Sequence, residues 1–150
     1  MIDENDRQIL RHLQRDATVS MDTLAAELSL SGNAVWRRVK RLQKDGYITR
    51  RVALLDAAKV DLDLTVFVAV RTNDHSDTWL DSFARATRAI PEVMEFYRLA
   101  GDTDYLVKLM VRDVADYDRV YRLLISAVPI SDVSASFAME TLKYETALPV

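Results

Sequence analysis

The 150-residue sequence predicts an α+β chain in two parts: a helical N-terminal third, then a longer stretch in which strands and helices alternate. Three observations support this. Residues 1–51 carry 10 Lys and Arg against 7 Asp and Glu, whereas the rest carries 10 against 16, so a basic piece and an acidic piece share a net charge of −3. Apolar residues of the first piece recur every three or four positions, the spacing of one helical face. The second piece opens on LTVFVAVR, a run rich in β-branched residues, and Pro91 and Pro129 stand where its helical periodicity stops.

In the first piece, Asp3 caps a helix with Asp6 in its opening turn, and Ile9, Leu10 and Leu13 line its inner face until about Arg15. Ser20 caps a second helix whose Leu24 and Leu28 lie four apart. The stretch Leu28-Ser29-Leu30-Ser31 then reads as a tight turn ending in a new cap. Asp3 and Ser20 are read as caps alone. The third helix, from about Ser31 to Lys44, places Val35, Val39 and Leu42 inward and closes at Gly46. Tyr47 to Leu55 alternates loosely and is expected to form a strand serving as wing or linker.

In the second piece, Leu64–Arg71 is a strand, Asp77–Ala89 a helix, and Val93–Ala100 with Tyr105–Arg112 a hairpin turning at Gly101-Asp102. Val114–Val128 is a helix with Val120, Leu123, Leu124 and Val128 buried, and Val133–Leu142 is a last strand. The order βαββαβ is the split pattern of ferredoxin-like domains. The expected division is residues 1–50 as a winged helix-turn-helix, 51–61 as a linker, and 62–150 as the βαββαβ domain.

Composition removes several functions. Without cysteine there is no disulfide framework, thiolate metal site or cysteine nucleophile. No apolar run approaches the roughly 20 residues of a membrane span, and MIDENDRQ is too acidic for a secretory leader, so the cytoplasm is the expected compartment, with no membrane partner. No catalytic constellation, metal or cofactor is expected.

Three capped helices, the last two joined by a short turn, form the motif whose final helix enters the major groove of DNA. From Ser31 to Arg51 there are seven basic residues and one acid, Asp45. A merely solvated helix face would mix its signs. Around the third helix, Asn33, Arg37, Lys40 and Arg41 cluster opposite the Val35/Val39/Leu42 seam, with Trp36 and Arg38 flanking it. Arg forks guanine or grips phosphate, Asn33 has the pattern for adenine, and Ser31 with its free amides suits a phosphate. The expected DNA-binding set is Ser31, Asn33, Ala34, Trp36, Arg37, Arg38, Lys40 and Arg41, with Trp36 expected to pack beside the core seam rather than stack on the nucleic acid.

These residues resemble the Lrp/AsnC family of leucine-responsive or feast/famine regulators. The resemblance rests on D-x-x-D-x-x-I-L near the start, on LSLSGNAVWRRVKRLQKDGYI, and on GDTDYL followed by a helix and a strand, and it covers nearly the whole chain. It implies a homodimer that binds a pseudo-palindromic operator in double-stranded DNA, often assembles to an octamer, and responds to a small amino-acid effector held between C-terminal domains. Carried onto this sequence, the effector loop falls on Gly101, Asp102, Asp104 and Tyr105, and response-altering positions fall on Arg98, Val114 and 136–138. Asp104 or backbone carbonyls suit an ammonium, and Arg98 or the backbone amides of the Gly turn suit a carboxylate; Ser134 and Ser136 complete the expected effector set, the alternatives being turn chemistry for Asp102 and Asp104 and sheet lining for the serines. The runs ALLDAAKVDL, RLAGDTDYL and SFAMETLKYETALP resemble the branch that controls cysteine catabolism, which implies cysteine or a related sulfur amino acid.

Two departures stand out. Ser29 occupies a turn position where many members have Gly, and Thr103 replaces a usual aromatic residue of the loop. The rival class is an enzyme, because a few Lrp-like proteins are sirohaem decarboxylases; here only His12 and His75 offer imidazoles, and no paired constellation emerges. Asp74-His75-Asp77 could hold a metal, but a capping loop is the commoner use of such residues. A stand-alone interaction module is a third alternative.

Overall fold

Short polar side chains start all three N-terminal helices. In the computed structural model, which describes residues 1–150, α1 (Glu4–Arg15) opens with a reciprocal capping box: the Asp6 amide donates to Asp3 and the Asp3 amide donates to Asp6. Ser20 accepts from Thr23 N–H to start α2 (Met21–Glu27), and Ser31 accepts from Ala34 N–H to start α3 (Gly32–Lys44). Ile9, Leu10, Leu13, Leu24, Ala25, Val35, Val39 and Leu42 form the buried core these helices share.

The α2–α3 turn closes as a Schellman motif, with Leu30 N–H donating to Ala25 C=O and Ser29 N–H to Ala26 C=O. This places Ser29 at φ 54°, in the left-handed region. Gly46 ends α3 at φ 79°, as its position suggested.

The expected strand over Tyr47–Leu55 does not form; the segment adopts no regular structure before a 3₁₀ turn at Ala58–Val60. A strand needs a partner for its backbone groups, and no other segment of the chain pairs with it.

The chain folds as two units, Met1–Leu54 with Leu142–Val150, and Leu55–Thr141. The C-terminal segment thus packs with the helices, although the expected division places it at the end of the second domain. Gln14 on α1 grips it reciprocally, donating to Leu148 C=O at 3.2 Å and accepting from Leu148 N–H at 2.6 Å, and Arg11 Nε donates to Val150 C=O at 2.6 Å.

In the second unit, β1 (Leu64–Arg71), β2 (Val93–Arg98), β3 (Tyr105–Val111) and β4 (Asp132–Phe137) form an antiparallel sheet in the order β2-β3-β1-β4. This is the expected βαββαβ arrangement. Helices α4 (Asp77–Ala89) and α5 (Val114–Ala127) complete it, capped by Ser76 and Asp113. Alternate residues Val66, Val68, Val70, Tyr105, Val107, Leu109 and Val111 meet Trp79, Phe83, Val120 and Leu124 in one core. Leu123, expected in that stripe, is exposed. Strand β4 stops at Phe137 instead of Leu142 because Ala138 N–H already reaches Thr65, and β1 begins at Leu64.

Candidate DNA-reading helix and effector loop

Burial of Val35, Val39 and Leu42 against α1 and α2 dictates what α3 shows to solvent. Asn33, Trp36, Arg37, Lys40 and Arg41 are exposed, and Ala34 and Arg38 are half-buried. Ser31 uses its hydroxyl as the cap, leaving the amides of the helix's first turn as the anion-attracting end. Trp36 is 53% exposed, so the expected packing beside the core seam is not seen; the Lys40 ammonium instead lies 5.9 Å from its ring centre.

The cations of this helix fall into two groups. Arg37 and Lys40 face solvent without an acidic partner. Arg38 and Arg41, three positions apart and so neighbours on the helix surface, turn toward the start of α1. Arg38 Nη1 donates to Asp3 Oδ1 and Oδ2 at 2.8 and 2.7 Å and to Asp6 Oδ1 at 2.8 Å, while Arg41 Nη2 donates to Asp6 Oδ2. The Arg38 guanidinium holds the Asp3 carboxyl below its ordinary value, and the two carboxylates raise Arg38 in turn. Asp3 is therefore more than a cap. Sequence reasoning missed this cluster because its partners lie 32 to 35 residues apart. The available signal was two acids three apart in an otherwise basic unit.

The expected effector residues do not form one pocket within a chain. Arg98 ends the edge strand β2 opposite Tyr105, on the side of the sheet covered by helices. Ser134 and Ser136 pair with Ala69 and Phe67 on the open side of β4, the other edge. Three strand spacings separate those edges, about 14 Å. Gly101 takes φ 138°, a conformation that suits glycine, in the exposed turn that also holds Asp102. Asp104 is partly committed already: its Oδ2 accepts from Thr72 N–H at 2.9 Å, and its backbone joins Leu99 and Val70.

His75 lies in the loop that starts α4. Asp74 accepts from Ser76 N–H at 2.9 Å and Ser76 accepts from Trp79 N–H, so this motif does local capping; the Ser76 hydrogen bonds hold Asp74 below its usual carboxylate range. His12 sits 3.2 Å from Glu27 across α1 and α2.

A capped helix-turn-helix with a cationic outer face, joined to a separate sheet unit, has the build of a DNA-binding module carried with a second domain. Two family models match these parts, a winged helix-turn-helix DNA-binding module over residues 2–49 and the Lrp/AsnC ligand binding domain over residues 65–148. The chain belongs to the Lrp/AsnC family of transcription regulators. It is 51% identical over 149 residues to the glutamate uptake regulatory protein of Zymomonas mobilis, covering 99% of this chain and 91% of that one. Among solved structures, an AsnC family transcriptional regulator from Agrobacterium tumefaciens matches with a TM-score of 0.95 at 49% identity, covering 99% of this chain and 97% of that one. A transcriptional regulator of Neisseria meningitidis in complex with L-Met matches with a TM-score of 0.93 at 30% identity, over the same shares. No helix of this chain is long and apolar enough to cross a membrane.

Proposed function

We propose that this protein regulates genes of amino-acid metabolism by binding a pseudo-palindromic operator as a homodimer, with Ser31, Asn33, Arg37 and Lys40 of α3 at the DNA. One observation carries the reading: α3 buries Val35, Val39 and Leu42 and turns Arg37 and Lys40 outward with no acid to neutralise them. Each phosphate contact releases condensed counterions, so Arg37→Ala and Lys40→Ala should each weaken binding and flatten the dependence of log K on log salt by about one. If both substitutions leave affinity and slope unchanged, the assignment of this face fails.

A second copy has a surface to meet. The sheet side away from α4 and α5 carries Phe67, Ala69, Leu106, Met110 and Tyr97 around a Glu95–Lys108 ion pair of 2.8 Å. A two-fold pairing through such a patch is self-complementary and would present two recognition helices to a two-fold operator. Assembly of such dimers to an octamer is the expected further step, checked by sedimentation.

The effector we propose is a free amino acid, at sites built from the Arg98/Gly101–Asp104 end of the β2–β3 hairpin and, separately, from Ser134 and Ser136. Support comes from the family match of this unit and from the L-Met complex of the Neisseria relative. Cysteine and related sulfur amino acids head the panel on the resemblance noted above, followed by glutamate and methionine. A ligand that biases regulation must bind two states unequally. Twenty amino acids are therefore screened for a shift in melting temperature, oligomer distribution or operator affinity; no shift with any of them would remove the sensing half of the reading. The sirohaem decarboxylase alternative would announce itself as a haem-coloured preparation.

A further inference from the structure

The first turn of α1 contains a carboxylate that capping alone does not require. Asp6 is fully buried, and both of its oxygens are occupied: Oδ1 by Arg38, Oδ2 by Arg41 and by the Asp3 amide at 3.0 Å. The capping bond needs only an acceptor, which a neutral Asn supplies equally well. What the charge adds is a fixed seat for two arginines of the recognition helix.

The two arginines are seated differently. The Nη1 of Arg38 is shared among three carboxylate oxygens, and its side chain is 25% exposed. Arg41 is 48% exposed and gives only Nη2 to Asp6, so its remaining N–H groups, the second hydrogen of Nη2 among them, have no partner within the chain and are available to fork with. A guanidinium whose plane is set beforehand loses less freedom when it forks a base edge or phosphate. The cluster of Asp3, Asp6, Arg38 and Arg41 also sums to zero charge, which withdraws two cations from sequence-independent attraction to phosphate.

We infer that Asp6 is a positioning residue for DNA selectivity: acting through Arg41, it aims one guanidinium fork at the operator and suppresses loose binding by Arg38 and Arg41. This inference rests on α3 being the DNA-reading helix. Both effects raise the ratio of specific to non-specific affinity.

The test uses the full chain, a duplex selected by the wild-type protein from a randomised library, and a scrambled duplex of the same composition. Asp6→Asn should lower the selected-to-scrambled affinity ratio by about tenfold or more, the range of one forked base contact, and steepen the salt dependence on the scrambled duplex by one to two. Arg41→Lys, a surface change that keeps the charge, should lose selectivity by a similar factor with its salt slope retained, and it decides the matter alone if Asp6→Asn does not fold. In an Arg41→Ala background, where only the Arg38 contact of Asp6 is left to lose, Asp6→Asn should cost clearly less selectivity than in the wild type, which a merely structural role would not produce. Unchanged selectivity in Arg41→Lys, unchanged selectivity and slope in folded Asp6→Asn, or additive losses in the double variant would overturn the inference. If Arg37→Ala and Lys40→Ala weaken binding as expected while these variants do not respond, only this inference falls; if those two are also silent, the DNA-reading face falls with it.

Discussion

Replacing Ser29 with glycine should stabilise the helical unit. Ser29 sits at φ 54° in the Schellman turn that joins α2 to α3. An L-residue in that region costs about 1–2 kcal/mol from Cβ crowding, and glycine removes that cost. Against it stands the extra freedom of glycine in the unfolded chain, about 0.4–1 kcal/mol. Ser29 is exposed, so the substitution sacrifices no packing. At the middle of both ranges the balance is a gain of about 0.8 kcal/mol, or about 3–6 °C in Tm for a unit of this size. Circular dichroism melting followed at helix wavelengths reads the shift, with operator affinity at a temperature well below melting as a control expected not to move. Ser29→Val serves as the opposite arm, because β-branching at positive φ is strained further and its Tm should fall below wild type. If Ser29→Gly melts at or below the wild-type temperature, the strain assigned to this turn is absent.

Phe83 is fully buried with ring centres of Trp79, Phe96 and Tyr105 at 5.1, 5.3 and 6.0 Å, so Phe83→Ala should cost the sheet unit about 3–5 kcal/mol, seen as a lower denaturant midpoint. Asp116, buried near the start of α5, is held well below the ordinary carboxylate range by hydrogen bonds from the side chain and backbone of Arg112 and then from Arg119. A lowered folded pKa contributes stability that is present above the unfolded value of about 3.9 and is lost as pH falls below it. Tm should therefore drop between about pH 5 and pH 2, and Asp116→Asn should flatten that acid limb; an unchanged limb would contradict the assignment. Gln14→Ala removes both hydrogen bonds to Leu148 and should lower the melting of the helical unit by a few degrees, for a loss of about 1 kcal/mol.

Local signals were the legible ones. Asp3, Ser20 and Ser31 announced their helices because a cap and the amide that donates to it lie within three residues, and Leu64–Arg71 and Asp77–Ala89 have the bounds read from the sequence. The left-handed turn at Ser29 was legible only through the family resemblance, in which glycine commonly fills that position. Long-range pairings were not. Nothing near Asp6 reports that Arg38 and Arg41 close on it, and nothing near Ser134 reports that the sheet order sets it three strands from Arg98. Alternation over 47–55 resembled a strand, but alternation describes side-chain faces and says nothing about whether a partner exists. Trp36 misled for a related reason: its size favours burial, yet the seam was already filled by Val35, Val39 and Leu42.

The return of residues 142–150 to the helical unit gives the chain an order of completion. Ribosomes add about 5–20 residues per second, so Leu148 emerges some 5–20 s after α3 has been made, with the whole sheet unit synthesised in between. Until then, Gln14 and the Nε of Arg11 lack the partners they hold in the finished fold. The unit made first is thus the last to be finished, and a nonsense codon or proteolytic nick shortly after Phe137 would leave the sheet core intact while damaging the DNA-binding end of the protein.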